Sequence, residues 1–270
     1  MCILVYKPAG VKLPAKNLIK NCYDNNPDGC GMMWVDGGEV KIDKGLYDFE
    51  TFYSKLLEHE AGNLVFHCRI KTHGAISVSN CHPFKITDEF SLAHNGILNV
   101  SCYQGLTDSE SFGIDYMSHL SKEDLYNPKI QKILNEIVAS SSSKVAVMTT
   151  DDNVLLLNAN GFIEDNGVFF SNNTYKYCYS YYSMQDYRTK KNLKDGVQVV
   201  EGKDDEEKFD TVELIEKLEN ETWLAWLKRA YKAYLHALTY AEYSNDYYDT
   251  YSDYGYGYGY WQDGKYYEKY

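Results

Sequence analysis

The sequence has no run approaching the roughly 18 apolar residues that a membrane-spanning helix needs, so no membrane partner is expected. Its N-terminus lacks a basic segment followed by a long apolar one, and no secretory signal peptide is expected. Basic charge is scarce: 27 Lys and Arg stand against 39 Asp and Glu, a formal net charge of -12. Phosphate binding favours a basic face, so this balance argues against nucleic acid as a partner. CxxC pairs and an HExxH helix are both missing. His67, Cys68, His73, Cys81 and His82 lie close in sequence but without those spacings, and neither a metal nor another cofactor is expected. The seven cysteines are odd in number and scattered, which does not resemble a disulfide framework. A reducing cytoplasm fits them.

What is present is enough for one substantial core. The chain has 270 residues, 44% of them apolar, sufficient for one domain or a domain with an appendage. Residues 2–6 form a short apolar run that reads as a buried strand. A polar stretch follows and ends in Asn25-Asn26-Pro27-Asp28-Gly29-Cys30-Gly31, which has strong turn chemistry. Met32–Val35 and Val40–Ile42 read as a hairpin closed by Asp36-Gly37-Gly38. Asp48 is placed to cap a helix through Glu58, with Phe52, Leu56 and Leu57 on its inner face. Residues 63–69 read as a core strand, and Asn80–Phe84 is extended before Pro83. A further strand, Phe90–His94, ends in the tight-turn pair Asn95-Gly96.

Thr107-Asp108-Ser109-Glu110 has capping-box spacing and opens a helix. Asn127-Pro128 starts another, with Ile130, Ile133, Leu134 and Ile137 as its buried stripe. Two strand pairs follow, 144–149 with 154–158 and 161–164 with 168–171. Strands, then two helices, then strands again favour sheets covered by helices over alternating βαβ units. Residues 183–208 turn polar and charged, as in a connector. Residues 209–243 carry Leu224, Leu227, Tyr231, Tyr234 and Leu238 at helical spacing. Residues 244–270 are rich in Tyr, Gly and Asp and read as a low-complexity tail, either a terminus without a role or a partner-docking segment.

The chemistry gathers around Cys2. A small second residue permits removal of Met1, which would leave Cys2 with both a thiol and a free α-amine. Such an amine has an ordinary pKa of roughly 7.7–8.0, so the nucleophile would carry its own base. Alone, a cysteine at position 2 can be incidental. Arg69 alone can be an ion-pair partner, Asn95-Gly96 a turn, and Asp108 a helix cap.

The set and its order are more specific. A Cys behind a removable start, His67-x-Arg69 with Thr72-His73-Gly74, Asn80-x-His82-Pro83, His94-Asn95-Gly96 and Asp108 before a Ser-Glu pair together resemble the class II glutamine amidotransferases. The glutaminase domain of glucosamine-6-phosphate synthase has this pattern, and the Asn-Pro-Asp-Gly turn is similar to free-standing members without a synthetase domain. The resemblance runs over residues 2–178. It implies an α+β fold, a four-layer αββα N-terminal-nucleophile hydrolase sandwich over residues 2–182, here with a helical C-terminal extension. It also implies that Cys2 attacks the side-chain amide of L-glutamine and that Asn95 and Gly96 stabilise the oxyanion. Arg69, Thr72 and His73 would hold the α-carboxylate and Asp108 the α-ammonium. A Cys-His dyad through His73 or His82 is set aside, because the family uses the terminal amine as base.

Departures from the pattern are Ile70, where several members carry an aromatic residue, and Cys30 and Cys81 within motif elements. Nothing beyond residue 180 resembles a synthetase, so the ammonia acceptor is expected on a separate protein. The rival readings are hydrolysis of another amide on the same scaffold and a non-catalytic binding protein that works through its tail.

Overall fold

A computed structural model describes residues 2–71, 76–103 and 106–177, together with the backbone of 259–262 and 265–268. The opening apolar run forms β1 (Ile3–Lys7). The polar stretch after it contains a helix the sequence did not announce, α1 (Lys16–Asn25). Its N-cap, Ala15, makes no side-chain cap bond and its first turn has no acidic residue, so the usual start signals are missing. Ile19 and Cys22, three residues apart, bury one face and hold it.

The hairpin β2 (Cys30–Asp36) and β3 (Glu39–Leu46) follows. In α2 (Phe49–Glu58) the Asp48 carboxylate accepts the Thr51 N–H at 2.8 Å, as expected of the cap. The inner face is Phe49, Phe52 and Leu56, whereas Leu57 is 47% exposed. Leu57 stands one helical step beyond Leu56, outside the stripe that packs.

β4 (Leu64–Cys68) leads to β5 (Phe84–Lys85) and β6 (Phe90–Asn95). The tight-turn pair does not close a hairpin: Asn95 is the last residue of β6, paired opposite Lys144 far along the chain. α3 (Asp108–Phe112) opens with the complete Thr107–Glu110 capping box and runs on as a π-helical turn, Gly113–Met117. A short helix not foreseen, α4 (Lys122–Leu125), is capped by Ser121. α5 (Pro128–Ser140) is capped by Asn127 and buries Ile130, Leu134, Ile137 and Val138, with Ile133 half-buried against the same cluster. Then come β7 (Lys144–Thr149), β8 (Val154–Leu157), β9 (Ile163–Asp165) and β10 (Val168–Phe170).

Two antiparallel sheets result. The larger has the order β3-β2-β4-β1-β10-β9 and the smaller β5-β6-β7-β8. β1 is interior, between β4 and β10, with Ile3 opposite Cys68 and Val5 opposite Phe170. Its alternation sorts its side chains to two faces. Ile3 and Val5 join Phe66 and Phe170 in a cluster with Ile19 of α1 and Phe52 and Leu56 of α2. Leu4 joins Met33 and Val65 in a second cluster with Ala93, Ala146 and Met148 of the smaller sheet. A third cluster packs Leu92, Val145 and Val147 against Phe112 of α3 and Ile130, Leu134 and Ile137 of α5. Burying each such aliphatic side chain contributes about 1.5–3 kcal/mol relative to exposure.

Among the described residues no helix is long and apolar enough to cross a membrane. The connector and the expected helical region through residue 243 lie outside the described residues. Within the tail, β11 (Gly259–Gln262) and β12 (Lys265–Glu268) pair antiparallel as a hairpin, which a reading from composition alone did not expect. Composition discards residue order, and aromatic residues in short runs favour strands.

Candidate active site

The candidate site begins at the N-terminal end of β1. Beyond the Ile3–Cys68 pair, Cys2 lies against the chain leaving β4. The Ile70 N–H donates to its Sγ at 3.3 Å, and the thiol donates to the Ile70 carbonyl at 3.4 Å. Its own carbonyl accepts from Asn172 Nδ2 at 2.7 Å. Burial pushes the Cys2 thiol up, against the opposing pull of the Ile70 peptide and the Arg69 charge. The resting group is therefore a thiol, and a base is needed to make it a nucleophile.

Arg69 follows β4 directly and is buried. Its backbone is clasped by the Asn-Pro-Asp-Gly turn: its N–H donates to Gly29 O at 3.0 Å, and Asp28 N–H donates to its carbonyl at 2.8 Å. The Asp28 carboxylate also accepts Lys71 N–H at 2.8 Å. Gly29 is required there. Its φ is +119°, and a Cβ would stand 2.5 Å from Cys81 Sγ. The turn therefore fixes where the guanidinium starts.

Asn95 approaches from the other sheet. Buried at the end of β6, it donates Nδ2–H to Ser171 Oγ at 2.8 Å. Ser171 is joined to Leu4, so Asn95 is tied to a point two residues from Cys2. Gly96 has φ +136°, and a Cβ there would meet Ser143 Oγ at 2.4 Å and its Cα at 2.9 Å. Any side chain would push the Gly96 N–H out of place.

Asp108 stands at the first position of α3, partly exposed. Its carboxylate accepts Leu98 N–H at 2.7 Å and Ser109 N–H at 3.0 Å. A carboxylate has about four lone-pair sites, so acceptor capacity remains. Behind it lies a buried histidine group. Ser109 Oγ bonds both His82 Nε2, at 3.0 Å, and His94 Nδ1, at 2.8 Å, while the rings of His67 and His82 are 4.4 Å apart. Burial pushes His67 down to about 3 and His82 well below the ordinary range. It pushes His94 down to about 4, against the Asp108 charge, which pulls upward. All three are neutral near pH 7.

The structure thus draws together Cys2 and Arg69 at one sheet end, and Asn95, Gly96 and Asp108 at the facing one. Thr72 and His73 lie outside the described residues. Three contributors were not singled out from sequence: Asp28, Ser109 and Ser171. Asp28 and Ser109 sat inside recognised motifs, whereas Ser171 gave no signal beyond the end of a strand. Among the described residues no group of three or more His, Cys, Asp or Glu is placed to hold a metal ion.

Residues 14–164 match the family described as glutamine amidotransferases class-II. That stretch includes Arg69, Asn95, Gly96 and Asp108, while Cys2 lies before it and Ser171 after it. No curated protein matches the sequence. Among solved structures, glutamine phosphoribosylpyrophosphate amidotransferase from B. subtilis is similar at 17% identity and a TM-score of 0.39, over 63% of this chain and 41% of that enzyme. A class-II glutamine aminotransferase domain protein from Silicibacter pomeroyi is similar at 15% identity and a TM-score of 0.34, over 56% and 73% of the two chains. A glutamine amidotransferase, described as predicted, from Pseudomonas aeruginosa is similar at 13% identity and a TM-score of 0.31, over 62% and 78%. The chain spans about two fifths of the B. subtilis enzyme's length.

Proposed function

The chain belongs to the class II glutamine amidotransferases, and on that premise we propose that it hydrolyses L-glutamine to glutamate and ammonia through a thioester on Cys2. The observation that carries the reading is the placement of Cys2. Its thiol sits at the end of an interior strand, hydrogen-bonded to the Ile70 peptide that directly follows the buried Arg69. Two antiparallel sheets in contact, each with helices in its outer cluster, support reading the core as the four-layer αββα arrangement of N-terminal-nucleophile hydrolases.

With Met1 removed, the Cys2 α-amine accepts the thiol proton as sulfur attacks the side-chain amide carbon. Burial holds the thiol protonated at rest, which is why the adjacent base matters. Charge develops on the amide oxygen, and Asn95 Nδ2 and Gly96 N–H meet it. Such donors act on the transition state more than on bound substrate. The tetrahedral intermediate then expels ammonia, which takes the proton held by the amine, and leaves the thioester. Water attacks the thioester carbon, and glutamate departs with the thiol restored.

Arg69 offers a bidentate fork to the α-carboxylate, with Thr72 and His73 adding donors beside it. The remaining acceptor capacity of Asp108 serves the α-ammonium. This pairing favours an amino-acid head group over other amides. The ammonia passes to a separate synthetase or acceptor protein.

Intact mass of the purified protein, before and after a diazoketone analogue of glutamine, tests the reading. Wild type should lack Met1 and gain one adduct; Cys2→Ala should gain none. Persistence of Met1, or an adduct on Cys2→Ala, would overturn it.

A further inference from the structure

We infer that Ser171 is a positioning residue for the oxyanion-stabilising amide: its hydroxyl holds the Asn95 carboxamide to the strand that carries the nucleophile. This rests on the glutaminase reading above. Ser171 is 2% exposed and follows β10, outside every motif that marks the site. Its Oγ accepts two hydrogen bonds, from Leu4 N–H at 2.9 Å and from Asn95 Nδ2–H at 2.8 Å. Its own N–H donates to Leu4 O at 2.9 Å, so backbone and side chain of Ser171 grip the same residue of β1. A hydroxyl has two lone pairs, and both are engaged.

The geometry has a chemical consequence. Asn95 and Cys2 come from different sheets, and their relative position must be held closely for an oxyanion donor to work. Nδ2 carries two hydrogens. Bonding one to Ser171 fixes the plane of the carboxamide and leaves the other for the oxyanion. The anchor, Leu4, is two residues from Cys2, so any movement of β1 carries the sulfur and the Asn95 amide together. Without the hydroxyl the amide can turn about its χ2, a broad torsion with no deep wells of its own. Ground-state binding of glutamine through Arg69 and Asp108 does not pass through this link.

Steady-state glutamine hydrolysis by Ser171→Ala, Asn95→Ala, the double variant and Cys2→Ala, with wild type in the same series, tests the inference. Ser171→Ala should lower kcat about tenfold or more with KM within about twofold of wild type. On the Asn95→Ala background it should add less than about twofold, because the group it positions is gone. Ser171→Thr, which keeps the hydroxyl, should recover most of the loss. Should Ser171→Ala fail to fold by circular dichroism, Ser171→Cys carries the same expectation, since sulfur is a weak acceptor of similar size. An unchanged kcat in the folded variant, or a full additional loss in the double variant, would overturn the inference while leaving the function standing. A wild type without glutamine turnover would overturn the proposed function and this inference with it.

Discussion

The two sides of the site keep their interiors neutral by opposite chemistry. Around β1, β4 and α1 the buried titratable groups include three thiols: Cys22, Cys30 and Cys68 are fully buried, and burial raises all three. Around β6 and α3 they are the imidazoles of His82 and His94, with His67 of β4 leaning on His82, and burial lowers all three. Desolvation disfavours the charged form in both cases, which means protonated for a thiol and deprotonated for an imidazole. Near pH 7 neither group competes with Arg69 or Asp108 for the charges of the amino acid they are proposed to bind. The difference is that the thiol side supplies the proposed nucleophile, whereas the imidazole side braces the residues proposed to receive charge.

The sharpest way to separate the sides is to remove the one thiol proposed to react. Cys2→Ala should lower glutaminase turnover by roughly 10³-fold or more while circular dichroism stays as in wild type. Wild-type turnover in that variant would place the chemistry elsewhere. On the facing side, Asn95→Ala should lower kcat by roughly 10²–10³ with KM little changed. Arg69→Ala should act the other way, raising KM for glutamine by roughly tenfold or more with a smaller effect on kcat. If the two variants show the same split between kcat and KM, the division of roles proposed here fails.

The opposed shifts also give each side its own limb in a stability-pH profile. For His67 and His94 the folded-state values, about 3 and about 4, lie below the ordinary imidazole value. The unfolded chain then binds more protons between those values and about 6.5, so stability is complete above about 6.5 and falls as pH drops through that window. Among the described residues His67 has no hydrogen-bond partner on either ring nitrogen, so His67→Phe removes a buried polar group without orphaning another there. It should be on the order of 2 kcal/mol more resistant to urea at pH 4 than wild type. Equal acid sensitivity in the two proteins would show that His67 is not part of that limb.

The thiols have raised folded-state values, so their contribution is present below the ordinary thiol pKa and is lost as pH rises above about 8.5. Cys22→Ala should flatten this alkaline limb, cost about 1 kcal/mol at pH 7 through lost packing and leave kcat within about twofold. Urea titrations at pH 7 and 9.5 with parallel kinetics would check it. A large loss of turnover would mean that the buried thiols do more than pack.

Much of this molecule is legible locally. Asp48, the Thr107–Glu110 box and Asn127-Pro128 satisfy backbone groups within a few residues, and each helix begins where they place it. The failures have local causes too. Ala15 sends no capping signal for α1, and Leu57 is apolar but lies just outside the packed stripe. Asn95-Gly96 has the composition of a hairpin turn, but the positive φ of Gly96 and the lack of room for a Cβ beside Ser143 serve close approach to the residue before β7.

The sequence by itself determined the strand runs, the helix caps and the order of motifs naming Cys2, Arg69, Asn95, Gly96 and Asp108, because those signals act over a few residues. Only the tertiary structure decided that β1 lies between β4 and β10, and that the peptide after Arg69 meets the Cys2 sulfur. It also decided that Ser109 joins two histidines of different segments, and that Ser171, 167 positions from Leu4, grips the strand that follows Cys2. Those pairings depend on which apolar faces cover one another across the whole chain. Burial is non-directional and leaves no periodic mark in sequence to say which distant segment will be the partner.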